Sequence, residues 1–307
     1  MMSEINLPLI RVYFKTKSKE TQNLPRYLYS SFRGALGARL KKLSCVARKI
    51  SSCLQCPLNQ YCAYGYIFET PRPKETERLR LYPYLPHPFA ITLPHVKTCP
   101  AWNIGLTLVG KAIQYFPHFV LAIRATGQIG LGPKRGRFEI SEIIDHFTRE
   151  KLYEKGKLKS PNLETKWKSR KVKRIKLNFE TPLTLKYQES FVSPEKFSFH
   201  ILIRNLLRRI SALSFFHADK ELILPFKEII KEAENILIEE KNLKVFSIKR
   251  YSARKKQEMP LRGLIGEVTI RGDLRTYYPL LKLGELLHVG KHTSFGFGKY
   301  QLEILET

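Results

Sequence analysis

The feature that most restricts the fold is an order of strand-like and helical stretches that occurs twice along the chain. In the first half, INLPLIRVYF and WNIGLTLVG alternate between apolar and polar residues, which is the pattern of half-buried β-strands. The stretch after the first strand has apolar residues at helical spacing: Leu28, Phe32, Leu36 and Leu40. KAIQYFPHFVLAIRATG predicts a second helix, kinked at Pro117, and a glycine-rich turn then leads into a last strand.

The same order restarts after residue 171. VKRIKLNFETP and IGEVTIRGDL alternate as strands, and RTYYPLLKLGELLHV predicts a helix before the last strand, KYQLEIL. The long helix KFSFHILIRNLLRRISALSFFHA is expected to bury one apolar stripe: Ile203, Leu206, Leu207, Ile210 and Leu213. Three arginines of this helix are expected not to point inward: Arg204, Arg208 and Arg209.

Strand, helix, two strands, helix, strand is the β-α-β-β-α-β order of the ferredoxin-like fold. The sequence therefore predicts an α+β protein of two tandem ferredoxin-like (RRM-like) βαββαβ domains, with a cysteine-rich insertion in the first. We place the N-terminal domain at 1–150 with the insertion at 45–70, a basic linker or loop at 151–171, and the C-terminal domain at 172–307 with a glycine-rich loop at 289–298. Four-stranded sheets of this kind commonly bind RNA.

The charge balance indicates a polyanionic partner. The chain has 54 Lys+Arg against 27 Asp+Glu, a formal net charge of +27, and such an excess destabilises a compact protein by self-repulsion. Nucleic acid best explains this surplus of basic residues. One alternative is an anionic membrane. Another is the charged surface of a thermophilic protein, but such surfaces usually gain Glu along with Lys, whereas here the acidic residues are half as many as the basic ones. Because the sequence shows no N-terminal signal and no apolar run of membrane-spanning length, we expect a cytoplasmic protein without a membrane partner.

Four cysteines of the insertion follow the pattern C-x7-C-x2-C-x5-C: Cys45, Cys53, Cys56 and Cys62. In a cytoplasmic protein, cysteines are more often thiols or metal ligands than disulfides. One C-x2-C pair and two flanking thiols can close a tetrahedral site. The pattern therefore favours a structural zinc ion, with an iron–sulfur cluster or four unligated thiols as alternatives.

The stretch HVGKHTSFGFGKY, close to the end of the sequence, combines glycines with basic side chains. It precedes a predicted strand, whereas the glycine loops that cradle a nucleotide open a helix. Backbone amides and a lysine could instead line the phosphates of an RNA strand, since glycine lets a backbone approach closely. The predicted RNA-binding residues of this loop are Gly290, Lys291, His292, Gly296 and Gly298.

Several of these stretches are similar to one known family. HVGKHTSFGFGKYQLEI resembles the C-terminal glycine-rich loop of the CRISPR-associated endoribonuclease that cuts precursor CRISPR RNA within its repeats, a member of the RAMP superfamily. RYSARKKQEMPLRGLIGEVTIRGDL and LLRRISALSFFHAD resemble further segments of that family. FRGALGARLKKLSC with CLQCPLNQYCAYGYIFE resembles a branch with a cysteine-bearing insertion.

The resemblance implies precursor CRISPR RNA as the substrate, other Cas proteins of an effector complex as further partners, and a cut that needs no cofactor. The ribose 2′-OH would attack the adjacent phosphate and leave a 2′,3′-cyclic phosphate and a 5′-OH. The alternative to an endoribonuclease is a non-catalytic RAMP subunit that holds guide RNA in an effector complex. A third class is a ribosomal or tRNA-binding protein.

Many members of the family carry a catalytic histidine on or near the first helix, whereas this chain has no histidine before His87. The matching segments leave four catalytic candidates: Tyr29, Lys42, His217 and His288. A buried structural role is the alternative for the tyrosine and the two histidines. Further RNA-binding candidates, for which a solvated surface is the alternative, are Arg33, Arg39, Arg250, Tyr251 and Arg254.

Overall fold

The computed structural model describes residues 4–18, 23–25, 28–50, 52–59, 61–73, 76, 85–94, 101–154, 156–252 and 257–307, except for the side chains of Arg250, Tyr251, Ser252 and Met259. The chain divides into two compact units. The N-terminal unit comprises Pro8–Glu164 and Phe216–Asp219, and the C-terminal unit comprises Met1–Leu7, Thr165–Phe215 and Lys220–Thr307. The division after Glu164 falls inside the stretch 151–171 that the sequence predicts as a linker or loop.

Six elements form the framework of the N-terminal unit, which contains β1 from Pro8 onward. They are β1 Glu4–Lys17, α1 Tyr29–Ser44, β2 Phe89–Thr92, β3 Ala101–Val109, α2 Phe116–Ile129 and β4 Glu139–Asp145. The strands lie in the order β2-β3-β1-β4, and each neighbouring pair is antiparallel. One helix follows the first strand and the other follows the third. This is the connectivity of a ferredoxin-like fold.

The two helices of this unit differ in how well the sequence predicts them. The apolar stripe of α1 is buried as predicted: Leu28, Phe32, Leu36 and Leu40. The kink predicted at Pro117 is wrong, because a 3₁₀ turn, Gly110–Tyr115, precedes α2 and the proline lies in the first turn of the α-helix. In that position its missing amide costs no helical hydrogen bond.

Short ordered elements occur in the two stretches that the sequence predicts as an insertion and as a linker or loop. Residues 45–70 contain a 3₁₀ turn, Cys53–Gln55, and a π-helical turn, Gly65–Glu69. The stretch 151–171 contains three short strands: β5 Tyr153–Glu154, β6 Lys157–Leu158 and β7 Glu164–Lys168. Trp167 contributes to this order, because its Nε1 donates to the carbonyl of Leu7 over 3.3 Å.

The C-terminal unit repeats the arrangement with longer elements. They are β8 Arg174–Leu183, β9 Lys186–Tyr187, β10 Ser190–Phe191, α3 Phe199–Ala218, α4 Phe226–Glu232, β11 Leu237–Ser252, β12 Gln257–Arg271, α5 Tyr278–Leu287 and β13 Gln301–Glu306. Its main sheet has the order β11-β12-β8-β13, again with antiparallel neighbours. Because the strand order is the same in both units, the prediction of two tandem ferredoxin-like folds is confirmed. None of the described helices is long and apolar enough to cross a membrane.

The long helix α3 shows where the sequence pattern succeeds and where it fails. Its apolar stripe is buried as predicted: Ile203, Leu206, Leu207, Ile210 and Leu213. The expectation that Arg209 does not point inward is wrong, since this side chain is only 8% exposed and its Nε donates to the carbonyl of Leu287 over 3.0 Å. Burial lowers the pKa of the guanidinium to about 10. The last carbonyls of a helix lack helical partners, and the arginine satisfies one of them at the end of α5.

Candidate functional site

The glycine-rich loop connects α5 to β13 and folds against the end of β8. The amide of Lys291 donates to the carbonyl of Thr184 over 2.9 Å, and the amide of Gly298 donates to the carbonyl of Pro182 over 3.0 Å. Across the loop, the amide of Val289 donates to the carbonyl of Gly298 over 3.0 Å. Both ends of the loop are therefore fixed by backbone hydrogen bonds.

Two of the predicted RNA-binding glycines are required by the packing of the chain on itself. Gly290 has a φ of +84°, and a Cβ at this position would lie 2.4 Å from the carbonyl oxygen of Thr184. Gly298 has a φ of +73°, and a Cβ there would lie 1.9 Å from the carbonyl oxygen of Val289. The close approach that these glycines allow is therefore to neighbouring backbone. Their contact with RNA stays a prediction, as does that of Gly296, which ends the 3₁₀ turn Thr293–Phe295.

Lys291 and His292 are the candidates on this loop whose side chains are exposed. His292 has a φ of +64°, and its ring lies 6.0 Å from each of the rings of Phe295 and Phe297. An ammonium group and an imidazole at the surface of a fixed loop can contact the phosphates of a nucleic acid. This is the part of the loop that a ligand can reach.

His288, a predicted catalytic residue, lies in the base of the same loop. Its side chain is 0% exposed, and its Nδ1 is 3.2 Å from the carbonyl oxygen of Phe297. The neighbouring residue Leu287 accepts the hydrogen bond from Arg209. His288 thus joins the two ends of the loop, which favours the structural interpretation. Its catalytic role stays a prediction.

One side of α1 carries a row of cations on aromatic rings. The guanidinium carbon of Arg33 lies 5.2 Å from the centre of the Phe68 ring, and the Nζ of Lys41 lies 5.4 Å from the centre of the Tyr64 ring. Gly37, midway between these cations in the sequence, makes room for Phe68, because a Cβ there would lie 2.9 Å from the ring. Cations and aromatic rings in one row suit contacts to phosphates and bases.

The other predicted residues of α1 do not form one cluster with Arg33. Tyr29 is 2% exposed, so its ring belongs to the core. Lys42 is exposed, but it follows Arg33 by nine residues, which places it on the opposite side of the helix. Arg39 is half-buried, and its Nε has no hydrogen-bond partner among the described residues.

Sequence reasoning passed over His87, which the structure places beside α1. In this half-buried side chain, Nε2 is 3.1 Å from Nη2 of Arg33, and Nδ1 is 2.8 Å from Oγ1 of Thr70. The signal available in the sequence is the flanking prolines of LPHPF, which restrict the backbone on both sides of the histidine. Nothing in the sequence shows that this segment returns to the first helix.

His217, another predicted catalytic residue, anchors the segment that carries His87. It lies in the last turn of α3, is 1% exposed, and has Nδ1 2.8 Å from the hydroxyl of Tyr66 and Nε2 2.9 Å from the carbonyl oxygen of Pro86. A carbonyl only accepts, so Nε2 carries the proton and Nδ1 accepts from the tyrosine. Burial raises the pKa of Tyr66, which keeps its hydroxyl protonated as a donor. The catalytic role of His217 stays a prediction, and this geometry favours a structural role.

The remaining RNA-binding candidates belong to the hairpin of β11 and β12. Beyond Leu264↔Leu183, the last pair between β12 and β8, the hairpin continues as far as Ser252↔Gln257. The backbones of Arg250 and Tyr251 lie in this extension. Their side chains, and all of Arg254, lie outside the described residues.

The four cysteines of the predicted metal site are free thiols in partly exposed positions. Burial raises the pKa of Cys53, the charge of Glu69 raises it further, and Lys41 opposes these effects. The charges of Cys45 and Cys62 also raise the pKa of Cys53. Within the described parts of the chain, however, no three His, Cys, Asp or Glu side chains are arranged to hold a metal ion.

Two family models match the chain. Residues 7–165 match AF_1859_N, an N-terminal domain family, and residues 177–300 match the CRISPR-associated endoribonuclease Cas6. An uncharacterized protein of Archaeoglobus fulgidus is 26% identical over 288 residues, which cover 91% of this chain and 93% of that protein.

Solved structures with the same fold include Thermus thermophilus Cas6 (TTHB231), with a TM-score of 0.55 and 15% identity over 97% of this chain and 99% of that one. The Cas6 (TTHB231) product complex has a TM-score of 0.59 and 16% identity, covering 97% of this chain and 100% of the other. A partial Cas6-RT-Cas1–Cas2 complex has a TM-score of 0.56 and 10% identity, covering 100% of this chain and 48% of the other. The match over residues 7–165, just over half of the chain, shows that the chain belongs to the AF_1859_N family, while its C-terminal segment matches the Cas6 endoribonuclease model and its duplicated fold is that of the solved Cas6 structures.

Proposed function

We propose that this protein cuts precursor CRISPR RNA within its repeats. The observation that carries the proposal is the match of residues 177–300 to the Cas6 endoribonuclease model. The matched segment also contains Lys291 and His292, whose exposed side chains a nucleic acid can contact. A formal net charge of +27 suits a polyanionic substrate. A product complex is also among the structures similar to this chain.

In the proposed reaction, the ribose 2′-OH is the nucleophile and no metal takes part. The 2′-oxygen loses its proton to a base and attacks the adjacent phosphorus, and the P–O5′ bond breaks to leave a 2′,3′-cyclic phosphate and a 5′-OH. Arg33 and Lys41 supply positive charge for the phosphorane, and Lys42 neutralises phosphates on the other side of α1. Tyr29, His217 and His288 are buried, so we assign them positioning roles.

Cleavage in the presence of a chelator tests this proposal. We expect wild-type protein in excess EDTA to cut a repeat RNA of its own CRISPR array at one position under single-turnover conditions. The upstream product should carry a 2′,3′-cyclic phosphate, detected by mass spectrometry, and an unrelated RNA of equal length should stay intact. Complete inhibition by EDTA that Mg²⁺ reverses, or a product with a 3′-OH, would contradict the mechanism.

A non-catalytic RAMP-type subunit that holds guide RNA is the second candidate. The burial of three of the four predicted catalytic residues, Tyr29, His217 and His288, favours it. In that case the protein would bind the repeat tightly without cutting it, alone or with other Cas proteins of an effector complex. The same assay therefore separates the two functions.

We further propose that Cys45, Cys53, Cys56 and Cys62 bind a structural zinc ion, with an iron–sulfur cluster as the alternative. The support is the C-x2-C spacing, flanked by two further thiols. Since the described arrangement does not itself form a metal site, the thiols would have to close around the ion. Removing a structural zinc from a small site is expected to lower thermal stability.

Purified protein is therefore expected to contain one zinc per chain, measured by elemental analysis. Cys53→Ser and Cys56→Ser should lose the metal and lower Tm by several degrees, whereas Ser52→Ala, between Cys45 and Cys53, should change neither. Native protein with neither zinc nor iron, or unchanged metal content in both cysteine variants, would show that the thiols are unligated.

A further inference from the structure

We propose that His87 is the general base that removes the proton from the ribose 2′-OH, and that Arg33 is the cation that moves from this imidazole to the scissile phosphate. This inference rests on the proposed RNA cleavage and names the residue that performs one of its steps. The observations that carry it are the Arg33–His87 contact, the hydrogen bond from His87 to Thr70, and the backbone conformation of Thr70.

The hydrogen bonds of His87 define which of its nitrogens is basic. A guanidinium has only donors, so Nε2, at 3.1 Å from Nη2 of Arg33, must be the acceptor. The hydroxyl of Thr70 donates to the carbonyl of Ile67 over 3.0 Å, and its oxygen is then free to accept from Nδ1–H of His87 over 2.8 Å. The imidazole is therefore neutral, and its lone pair on Nε2 points toward the cationic row of α1.

This pairing differs from the hydrogen bonds of the structural histidines. His217 and His288 each face a backbone carbonyl, of Pro86 and Phe297 respectively, and both are buried. The lone pair on Nε2 of His87, in contrast, is held against a guanidinium that a phosphate can draw away. When a phosphate arrives, it is a stronger acceptor for the arginine than the neutral imidazole, because it carries negative charge and can accept two parallel N–H bonds from the guanidinium, whereas the imidazole offers one neutral lone pair. Binding of the substrate thus uncovers the base.

The backbone at Thr70 is strained in a way that holds the imidazole in place. Thr70 has φ 44° and ψ 58° at the end of the π-helical turn, in the left-handed region that β-branched residues rarely adopt. It is 2% exposed, and its amide donates to the carbonyl of Gly65 over 2.8 Å. Its own carbonyl accepts from the amide of Leu85 over 2.9 Å, which ties down the chain just before His87. Strain of this kind is typical of functional sites.

Arg33 and His87 each pack on an aromatic ring. The ring of His87 stacks on Phe89, with centroids 5.6 Å apart and planes at 23°. The guanidinium of Arg33 lies on the ring of Phe68. The imidazole that acts as the base is therefore oriented before any substrate binds, which lowers the entropic cost of reaching the reactive geometry.

In the proposed step, one P–O bond forms and another breaks. The 2′-O–H proton moves to Nε2 of His87, and the 2′-oxygen uses the released electron pair to form a bond to phosphorus. The P–O5′ bond breaks, and the 5′-oxygen leaves with its electron pair and takes a proton from solvent. Arg33 donates to the non-bridging phosphate oxygens, on which negative charge develops. The imidazolium of His87 then returns its proton to water.

Single-turnover cleavage of the repeat RNA in EDTA tests the proposal. We expect His87→Asn, whose amide can still donate to Thr70, to lower the cleavage rate constant at least about 100-fold, the low end of general base catalysis. The Kd for RNA and the Tm should stay close to those of the wild type. In His87→Ala, added imidazole should restore part of the rate, which a purely structural role would not allow.

A substrate with a bridging 5′-sulfur distinguishes a base from an acid, because a thiolate leaves without being protonated. We expect this substrate not to restore the rate of His87→Ala. The matched control is His118→Asn, a half-buried histidine of the same unit, which should cut at the wild-type rate.

If wild-type protein cuts and His87→Asn cuts equally fast, His87 is not the base while the proposed function stands. Rescue of His87→Ala by the sulfur substrate would make it the acid and also overturn the assignment. Failure of the wild type to cut would contradict the proposed function itself.

Discussion

A repeat RNA with 2′-deoxyribose at the single nucleotide before the cut is expected to bind normally and to remain intact. The proposed reaction has its nucleophile inside the substrate, so this change removes the attacking group and leaves every protein residue in place. We expect the rate constant to fall at least about 10⁶-fold, the low end of enzymatic acceleration. Affinity should be unchanged, because phosphate contacts dominate the affinity of proteins for nucleic acids and the substitution leaves every phosphate in place.

The measurement is single-turnover cleavage and a binding titration with the same pair of RNAs. A repeat with 2′-deoxyribose two nucleotides upstream is the matched control, and it should be cut at the normal rate. Cleavage of the modified position at an undiminished rate would show that water or another external group attacks the phosphate. That result would overturn the mechanism without contradicting membership in the family.

Gly298→Ala is expected to destabilise the protein by roughly 2–5 kcal/mol. A left-handed backbone costs an L-residue about 1–2 kcal/mol, and forcing a methyl group into a packed site costs about 1–3 kcal/mol more. Both terms apply here, because φ is +73° and the new Cβ would lie 1.9 Å from the carbonyl oxygen of Val289. The displaced loop should also bind RNA more weakly, since it carries Lys291 and His292.

Gly156→Ala separates the two contributions. Gly156 has a nearly equal φ of +77°, but a Cβ there would meet nothing within 4 Å, so only the cost of the backbone conformation, about 1–2 kcal/mol, should appear. Urea denaturation of both variants measures the difference, and a binding titration follows the loop. If Gly298→Ala costs no more than Gly156→Ala, the backbone packing described for this loop is wrong.

Apolar periodicity was sufficient to predict four helices and six strands of the two main sheets, but it did not identify β2 and β11. The stripe of α3, for instance, contains Leu206 and Leu213 at helical spacing, and both are buried. The spacing of apolar residues along an amphipathic helix is a local property of the sequence, so the buried face can be predicted from the residues themselves. The two strand orders then follow from the β-α-β-β-α-β connectivity.

Polar residues were predicted less well, because their positions depend on partners far away in the sequence. Arg209 was expected not to point inward, yet it is buried at the end of α5, where it meets a carbonyl 78 residues away. His288 and His217 carry the residue type that acid–base chemistry needs, but the fold encloses both. A residue type indicates what a side chain can do, and only its surroundings decide whether a substrate can reach it.

The sequence alone determined the class of the protein: a basic chain with a duplicated order of strands and helices, and a glycine loop before the last strand. These properties depend on composition, periodicity and short motifs, which need no knowledge of distant contacts. The tertiary structure alone decided that His87 meets Arg33 across 54 residues and that the glycines of the loop face their own backbone. Such contacts form when a compact core folds separate segments together, and no local pattern records which polar side chains then become neighbours.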